Sequence, residues 1–248
     1  MTSPSIVLRS ALFGSAAILS ACGQSQANEP QGTRSPSVAA SPAQPVVVEL
    51  FQSQGCSSCP PANVNVNAIA DRPDVLALSF AVTYWDRLGW KDTFGSPRWT
   101  QRQWDYAHHA GRPEVSTPQI IVNGAAAIVG SDRRQLDAAI ARAGAPRGGP
   151  PLSVTGTMLR VGAAPATRPS AVWLVRYDPR SREVPIRAGE NGGRTLPHRD
   201  IVRDLVKLGN WAGSAATFTI PAAGERGLKS AILVQRGAGG PITAALKI

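Results

Sequence analysis

The apolar positions of the chain follow two patterns that change near residue 146. In the first, unbroken runs dominate: Val46 to Phe51 and Val75 to Val82 are apolar at nearly every position, as in strands buried on both faces. Between them, Ser57 to Ala70 reads as a helix that starts late, because Pro60 and Pro61 stand in its first turn, and that ends at Asp71-Arg72-Pro73. A helix between two such strands implies a right-handed βαβ unit with parallel pairing. Pro97 to His109 is predicted as a second helix, with Ser96 as N-cap and Pro97 at the first helical position. A strand then opens at Thr117-Pro118, and Asn123-Gly124 turns it into Ala125 to Val129. Ser131 to Ala143 supplies a closing helix, with Ser131 as N-cap, Leu136, Ala139 and Ile140 on one face, and Gly144 as its stop.

Past the linker-like Arg147-Gly148-Gly149-Pro150-Pro151, the pattern becomes short alternating runs bounded by Gly, Pro and Asp: 152–161, 171–177, 183–188, 215–220, 229–235 and 242–246. These predict a small antiparallel sandwich. The expected organisation is therefore an α/β domain over 45–146 and a mostly-β C-terminal domain over 147–248, each just large enough for its own core. Gly189-Glu190-Asn191-Gly192-Gly193-Arg194 reads as a hairpin loop, since a phosphate loop would need a helix directly after it.

The N-terminus has a different character. Arg9, the 12-residue apolar stretch Ser10 to Ala21, and Leu19-Ser20-Ala21-Cys22 match a signal peptide with a lipobox. The stretch is too short to span a bilayer, so residues 1–22 are expected to be a leader, with Cys22 as the lipid-modified anchor. Residues 23–44, rich in Gln, Ser, Ala and Pro, read as a flexible tether. The expected location is the cell envelope or periplasm, with membrane attachment through Cys22.

The formal charge of +10 lies almost wholly in the C-terminal half, where 15 basic residues face 6 acidic ones, against 9 and 9 over 45–146. Arginine supplies 22 of the 26 basic residues amid abundant Ala, Gly and Pro, which matches the bias of a GC-rich genome as well as a surface for anionic partners. No nucleic-acid motif accompanies the charge, and nucleic acid is not an expected partner.

Candidate chemistry centres on Cys56-Ser57-Ser58-Cys59, directly after the first strand. Strand followed by CxxC, with a proline opening a strand about 60 residues later at Thr117-Pro118, is where a thioredoxin-like domain keeps its redox pair and its cis-proline. A position near a helix N-terminus favours the thiolate, the form that attacks disulfides. A structural bridge gains little from so short a loop, and a structural zinc site lacks ligands, because only His108, His109 and His198 accompany the pair. Four of the six tryptophans, Trp85, Trp90, Trp99 and Trp104, lie between the second strand and Gly111, either packing a helix on the sheet or walling a groove beside the sulfurs.

Together these segments resemble a family of secreted proteins of about this length, with a thioredoxin-like domain and no assigned function. The resemblance runs through Val48-Glu49-Leu50-Phe51, Gly55 to Ala62, Tyr84-Trp85-Asp86, Leu88 to Asp92, Thr117-Pro118-Gln119 and Val122-Asn123-Gly124, and extends to Gly189-Glu190-Asn191 with Gly193-Arg194. Relatives commonly carry a His and an Asp just before the Tyr-Trp pair, where this chain has Ala81 and Thr83. The resemblance implies the fold without naming a substrate.

The function expected is an exported thiol-disulfide oxidoreductase without a cofactor. It acts on thiol- or disulfide-bearing proteins or on small thiols and is served by a redox partner protein. Cys56 attacks, Cys59 resolves, Thr117 and Pro118 hold the substrate strand, and Trp85 and Trp90 wall the site, because Gln54-Gly55 replaces the usual tryptophan before the pair. Asp86 or Asp92 could carry protons, although both read first as solvated loop acids. Two alternatives stand beside it. Two soft thiolates suit Cu(I) at Cys56 and Cys59, which would make the chain a copper-binding protein; that role wants a nearby His or Met, whereas Met158 belongs to the C-terminal domain and His108 and His109 to the Trp-rich segment. The other is a non-catalytic binding module whose working part is the C-terminal region.

Overall fold

Strands β1 (Val46–Gln52) and β2 (Val75–Ala81) are buried at every position, which is why the sequence shows continuous apolar runs there instead of alternation. The computed structural model describes residues 44–248. The expected leader, Cys22 and nearly all of the tether lie outside the described residues. The two strands pair in parallel, Val46 with Val75 through Gln52 with Ala81.

The crossover helix α1 (Pro60–Asn67) is shorter than the 57–70 expected. Cys59 is its N-cap, and Pro60 and Pro61 occupy the first turn, where N–H groups have no intrahelical partner to lose. Helix α2 (Pro97–His109) begins where the sequence placed it, with Ser96 Oγ accepting from the Arg98 N–H at 3.3 Å. Strand β3 (Gln119–Val122) runs antiparallel to β1, and β4 (Ala126–Ile128) forms the sheet edge. Helix α3 (Arg133–Ala143) is capped by Asp132, whose carboxylate accepts from the N–H groups of Arg134 and Gln135, and not by Ser131. An aspartate serves at this position as well as a serine, and its charge favours the helix N-terminus.

The C-terminal half supplies β5 (Leu152–Thr155), β6 (Met158–Val161), β7 (Ser170–Asp178), β8 (Arg182–Pro185), β9 (Thr195–His198), β10 (Ile201–Trp211), β11 (Ala216–Thr219), β12 (Lys229–Arg236) and β13 (Ile242–Lys247). Four of these continue the first sheet, giving eight strands in the order β13-β12-β7-β10-β2-β1-β3-β4. The boundary expected between 146 and 147 is therefore not a boundary in the sheet. Strand β10 takes the free edge of β2: Ile201 pairs with Ser79, and the Ser79 N–H donates to the Asp200 carbonyl at 2.8 Å. Left unpaired, that edge would expose a strand apolar at all positions but Ser79 to other chains.

The core is continuous across the same line. Phe51, Phe80 and Trp99 share one cluster with Val175, Tyr177, Val202 and Leu233. A second cluster seats α1 and α3, through Ala62, Val66, Leu136 and Ile140, on Val48, Leu50, Ile120 and Val122. The expected sandwich exists in part. The three-stranded sheet β11-β6-β5 packs Leu159 and Val161 against Leu174, Ile232 and Val234, but its partner is the large sheet. The molecule is a mixed α/β structure dominated by one large sheet with few helices.

Candidate functional site

After β1 the chain leaves the sheet in two successive turns, with Cys56 N–H donating to the Ser53 carbonyl at 3.1 Å and Cys59 N–H to the Cys56 carbonyl at 3.2 Å. These turns bring the two sulfurs together as free thiols. Cys56 Sγ lies 3.2 Å from Ser58 Oγ and 3.8 Å from the Thr117 carbonyl oxygen. A hydrogen bond from the Cys59 thiol is the largest influence on Cys56 and lowers its pKa to about 6; Ser58, through hydroxyl and amide, and Thr117 add to it, and burial opposes them. Cys59 moves the other way, pushed well up by burial and by the charge it faces on Cys56. Hydrogen bonding therefore favours the thiolate on Cys56, and burial favours the thiol on Cys59. The helix dipole expected to activate Cys56 falls elsewhere, because Cys59 stands at the start of α1 and Cys56 lies in the turn before it.

The Thr117–Pro118 bond is cis, as the sequence placed it. Trp85 Nε1 donates to Thr117 Oγ1 at 2.7 Å, so the hydroxyl's own proton remains available to the sulfurs. Trp90 is not a wall of the sulfur. Its indole donates to Gln54 Oε1 at 2.9 Å, and it braces the strand-side end of the turn. Gln54 is held further by its side chain on Thr93 Oγ1 (2.9 Å) and by its N–H on the Asp92 carboxylate (2.7 Å). Asp92 is no solvated loop acid: it is buried, accepts also from the Phe94 N–H, and is raised to about 6 by desolvation. Of the remaining tryptophans, Trp99 packs edge-on to Phe80 in the core and Trp104 lies against His108. No single tryptophan groove forms. Instead Pro118 opens onto a cleft with Arg112, Ser116, Gln119 and Ala127, which continues past Arg112 and Gln119 toward His109 and Tyr106.

The hairpin loop between β8 and β9 docks onto the cysteine turn, a contact the sequence reading missed. Glu190 Oε2 accepts from the Ser57 N–H at 2.9 Å and from Ser57 Oγ at 2.7 Å. Asn191 Nδ2 donates to the carbonyls of Gln54 (2.9 Å) and Cys56 (2.8 Å), while its Oδ1 accepts from Arg194 at 2.7 Å. Gly189, at φ +72, packs against Gly55 and Trp90. The composition of this run is that of an ordinary hairpin tip, and the signal that could have found the contact was the resemblance that extends to Gly189-Glu190-Asn191 with Gly193-Arg194.

His198 on β9 is buried edge-on to Phe94, with neither ring nitrogen hydrogen-bonded, and burial lowers its pKa to about 4. His108 and His109 end α2, and Met158 lies on β6 with Thr219 beside its sulfur. Among the described residues no group of three or more His, Cys, Asp and Glu is placed to share a metal ion.

Among solved structures, the chain is similar to a protein from Agrobacterium tumefaciens, at 30% identity over 83% of this chain and 94% of that one, with a TM-score of 0.68. It shares its fold with HBP35 of Porphyromonas gingivalis, at 13% identity over 83% of this chain and 75% of that one, with a TM-score of 0.52. No curated protein matches it. Residues 47–235, from β1 to the end of β12, match the family described as protein of unknown function (DUF1223), and the chain belongs to that family.

Proposed function

We propose that this protein is a thiol-disulfide oxidoreductase of the cell envelope, built on a thioredoxin-like core over 46–143 whose sheet is extended by the β-rich C-terminal half. One observation carries the reading: in a four-residue motif beside the cis Thr117–Pro118 bond, Cys56 Sγ lies 3.2 Å from the Ser58 hydroxyl and 3.8 Å from the Thr117 carbonyl while Cys59 is buried, an arrangement that lowers the Cys56 pKa and raises that of Cys59. That asymmetry divides the labour of exchange. The parallel β1-α1-β2 unit, the β3-β4 hairpin, α3 and the cis-proline beside the sulfur support the thioredoxin-like part. The leader motif ending at Cys22 supports export and lipid anchoring.

In the reducing direction, the Cys56 thiolate attacks one sulfur of a substrate disulfide, the substrate S–S bond breaks, and its other sulfur leaves as a thiolate that takes a proton from solvent. Cys59 then attacks Cys56 Sγ, the mixed disulfide breaks, and the second substrate sulfur takes the proton Cys59 gives up. Two electrons pass from the dithiol to the substrate, and the reverse sequence oxidises a substrate dithiol. Thr117 and Pro118 line the approach, and Trp85 acts by holding the Thr117 hydroxyl.

The test is the Cys56/Cys59 reduction potential, read by alkylation shift in glutathione buffers. A value between about −120 and −270 mV is expected for an exchange catalyst, and one below about −300 mV, that of an inert bridge, refutes the reading.

A further inference from the structure

Two residues of the β8–β9 loop reach the cysteine turn from 133 and 135 positions further along the chain, and nothing in the exchange chemistry above uses them. We infer that the Gly189–Arg194 loop is the second half of the redox site. Asn191 positions the Cys56 turn, and Glu190 is a catch over Ser57 that an incoming disulfide-bearing peptide displaces. The inference rests on Cys56 being the attacking sulfur, and it adds the means by which substrate gains access.

Exposure supplies the first argument. Cys56 is 0% exposed and Cys59 1%, while their neighbours Ser57 and Ser58 face solvent. A sulfur that attacks a protein disulfide must be reached in line, so something on the Ser57 side has to move. The second argument is the difference between the two loop residues. Asn191 is buried, both protons of its carboxamide are used on the carbonyls of Gln54 and Cys56, and its oxygen is satisfied by Arg194. Removing it strands the buried Gln54 carbonyl and leaves the Cys56 carbonyl with the Cys59 N–H alone, which makes it an anchor. Glu190 is exposed, and its bonds to Ser57 exchange for water at little net cost, which makes it releasable. The backbone permits such a release, since Gly189 (φ +72) and Gly193 (φ +83) flank the pair in a region open to glycine.

The chemistry of the catch also names what replaces it. Glu190 presents an oxygen acceptor to one N–H and one hydroxyl, and a peptide carbonyl next to a substrate cysteine presents the same atom. The substrate class is thus an extended, disulfide-bearing peptide whose backbone carbonyl takes over the Ser57 donors as its sulfur meets Cys56.

Alkylation of the reduced protein by iodoacetamide across a pH series, with the modified cysteine located by mass spectrometry, separates the two roles. The midpoint reports ionisation, and the plateau, where the thiolate is fully formed, reports access. Glu190→Ala is expected to raise the Cys56 plateau about three- to ten-fold, and Glu190→Gln, which keeps an acceptor oxygen for Ser57, to stay near wild type. Asn191→Ala is expected to raise the midpoint. Should that variant not fold, Arg194→Ala, which frees the Asn191 carboxamide without deleting it, gives the same readout. A low Cys56 midpoint with a plateau indifferent to Glu190→Ala overturns the catch and leaves the oxidoreductase reading standing. An unmoved midpoint in a folded Asn191→Ala or Arg194→Ala overturns the positioning role. Alkylation that shows neither a lowered midpoint nor a preference for Cys56 in any variant overturns this inference and the reading it rests on together.

Discussion

Two of the polar sites that bridge the N- and C-terminal halves of the chain take a carboxamide from the C-terminal half. At the first, Gln235 of β12 meets Arg102 of α2, Glu49 of β1 and Tyr106. Arg102 donates to Glu49 (2.8 Å), to the Tyr106 hydroxyl (3.1 Å) and to Gln235 (3.2 Å), and Tyr106 donates to Glu49. All four residues are buried, and burial pushes the Tyr106 hydroxyl well above its ordinary range. At the second, Asn191 holds the turn around Cys56. The first site balances a buried carboxylate with a buried guanidinium and satisfies both, which fixes geometry and leaves nothing to react. The second spends its carboxamide on backbone and leaves the sulfur with donors but no cation, so its charge is stabilised yet transferable. The same device, a carboxamide from the far half, braces a buried ion pair in one place and the turn around a thiol pair in the other.

The contrast is broken most completely at the sulfur. Cys56→Ser is expected to abolish disulfide exchange, whereas Cys59→Ser still attacks and accumulates the mixed disulfide, visible as an adduct by non-reducing electrophoresis. Exchange retained in Cys56→Ser ends the assignment of the nucleophile.

Next in size is the inert site. Arg102→Met leaves the Glu49 carboxylate buried without its cation and is expected to cost about 3–5 kcal/mol of stability in urea denaturation. The alkylation midpoint of Cys56 should not move in the same variant. A shift there would mean that the two sites are coupled and the division between them is false.

The pH dependence of the reduction potential sharpens the reactive side. Below pH about 6 both thiols of the reduced pair carry protons, and above it only Cys59 does. The potential should therefore fall by about 59 mV per pH unit below the break and by about 30 mV per unit above it, on the two-electron scale of about 30 mV per tenfold. A single slope running through to pH 8 would show that Cys56 is an ordinary thiol.

The smallest effect expected is at Ser58. Ser58→Ala removes one of several donors and should raise the Cys56 midpoint by less than about one pH unit, or about 1.4 kcal/mol. A larger rise would make Ser58, and not Cys59, the principal stabiliser of the thiolate.

How much of this was legible depended on whether the signal was local. Strands β1 and β2 announced themselves as apolar runs, α2 by Ser96-Pro97, and the reactive pair by its spacing after a strand, each readable within about ten residues. Strand β10 left no such trace. It is the longest strand, yet bulges between Val202 and Asp204 and between Lys207 and Gly209 break its two-residue period, so its charged residues looked like loop. With β10 unseen, the C-terminal half read as a separate sandwich, since nothing else tells the sequence that β7, β12 and β13 have an edge of β2 to join through it. Asp92 shows the same limit. Its neighbours Lys91 and Thr93 suggest solvent, and only the fold packs the Gln54 and Phe94 amides around it.

The sequence by itself determined the central βαβ unit, the dithiol and the proline beside it, because periodicity, capping and motif spacing act between near neighbours. Only the tertiary structure decided that the sheet is one, that Cys59 and not Cys56 stands at the start of α1, and that Glu190 and Asn191 dock on the cysteine turn. These depend on pairings between segments up to 137 residues apart, whose partners are chosen by shape and by unsatisfied donors that exist only once the chain has folded.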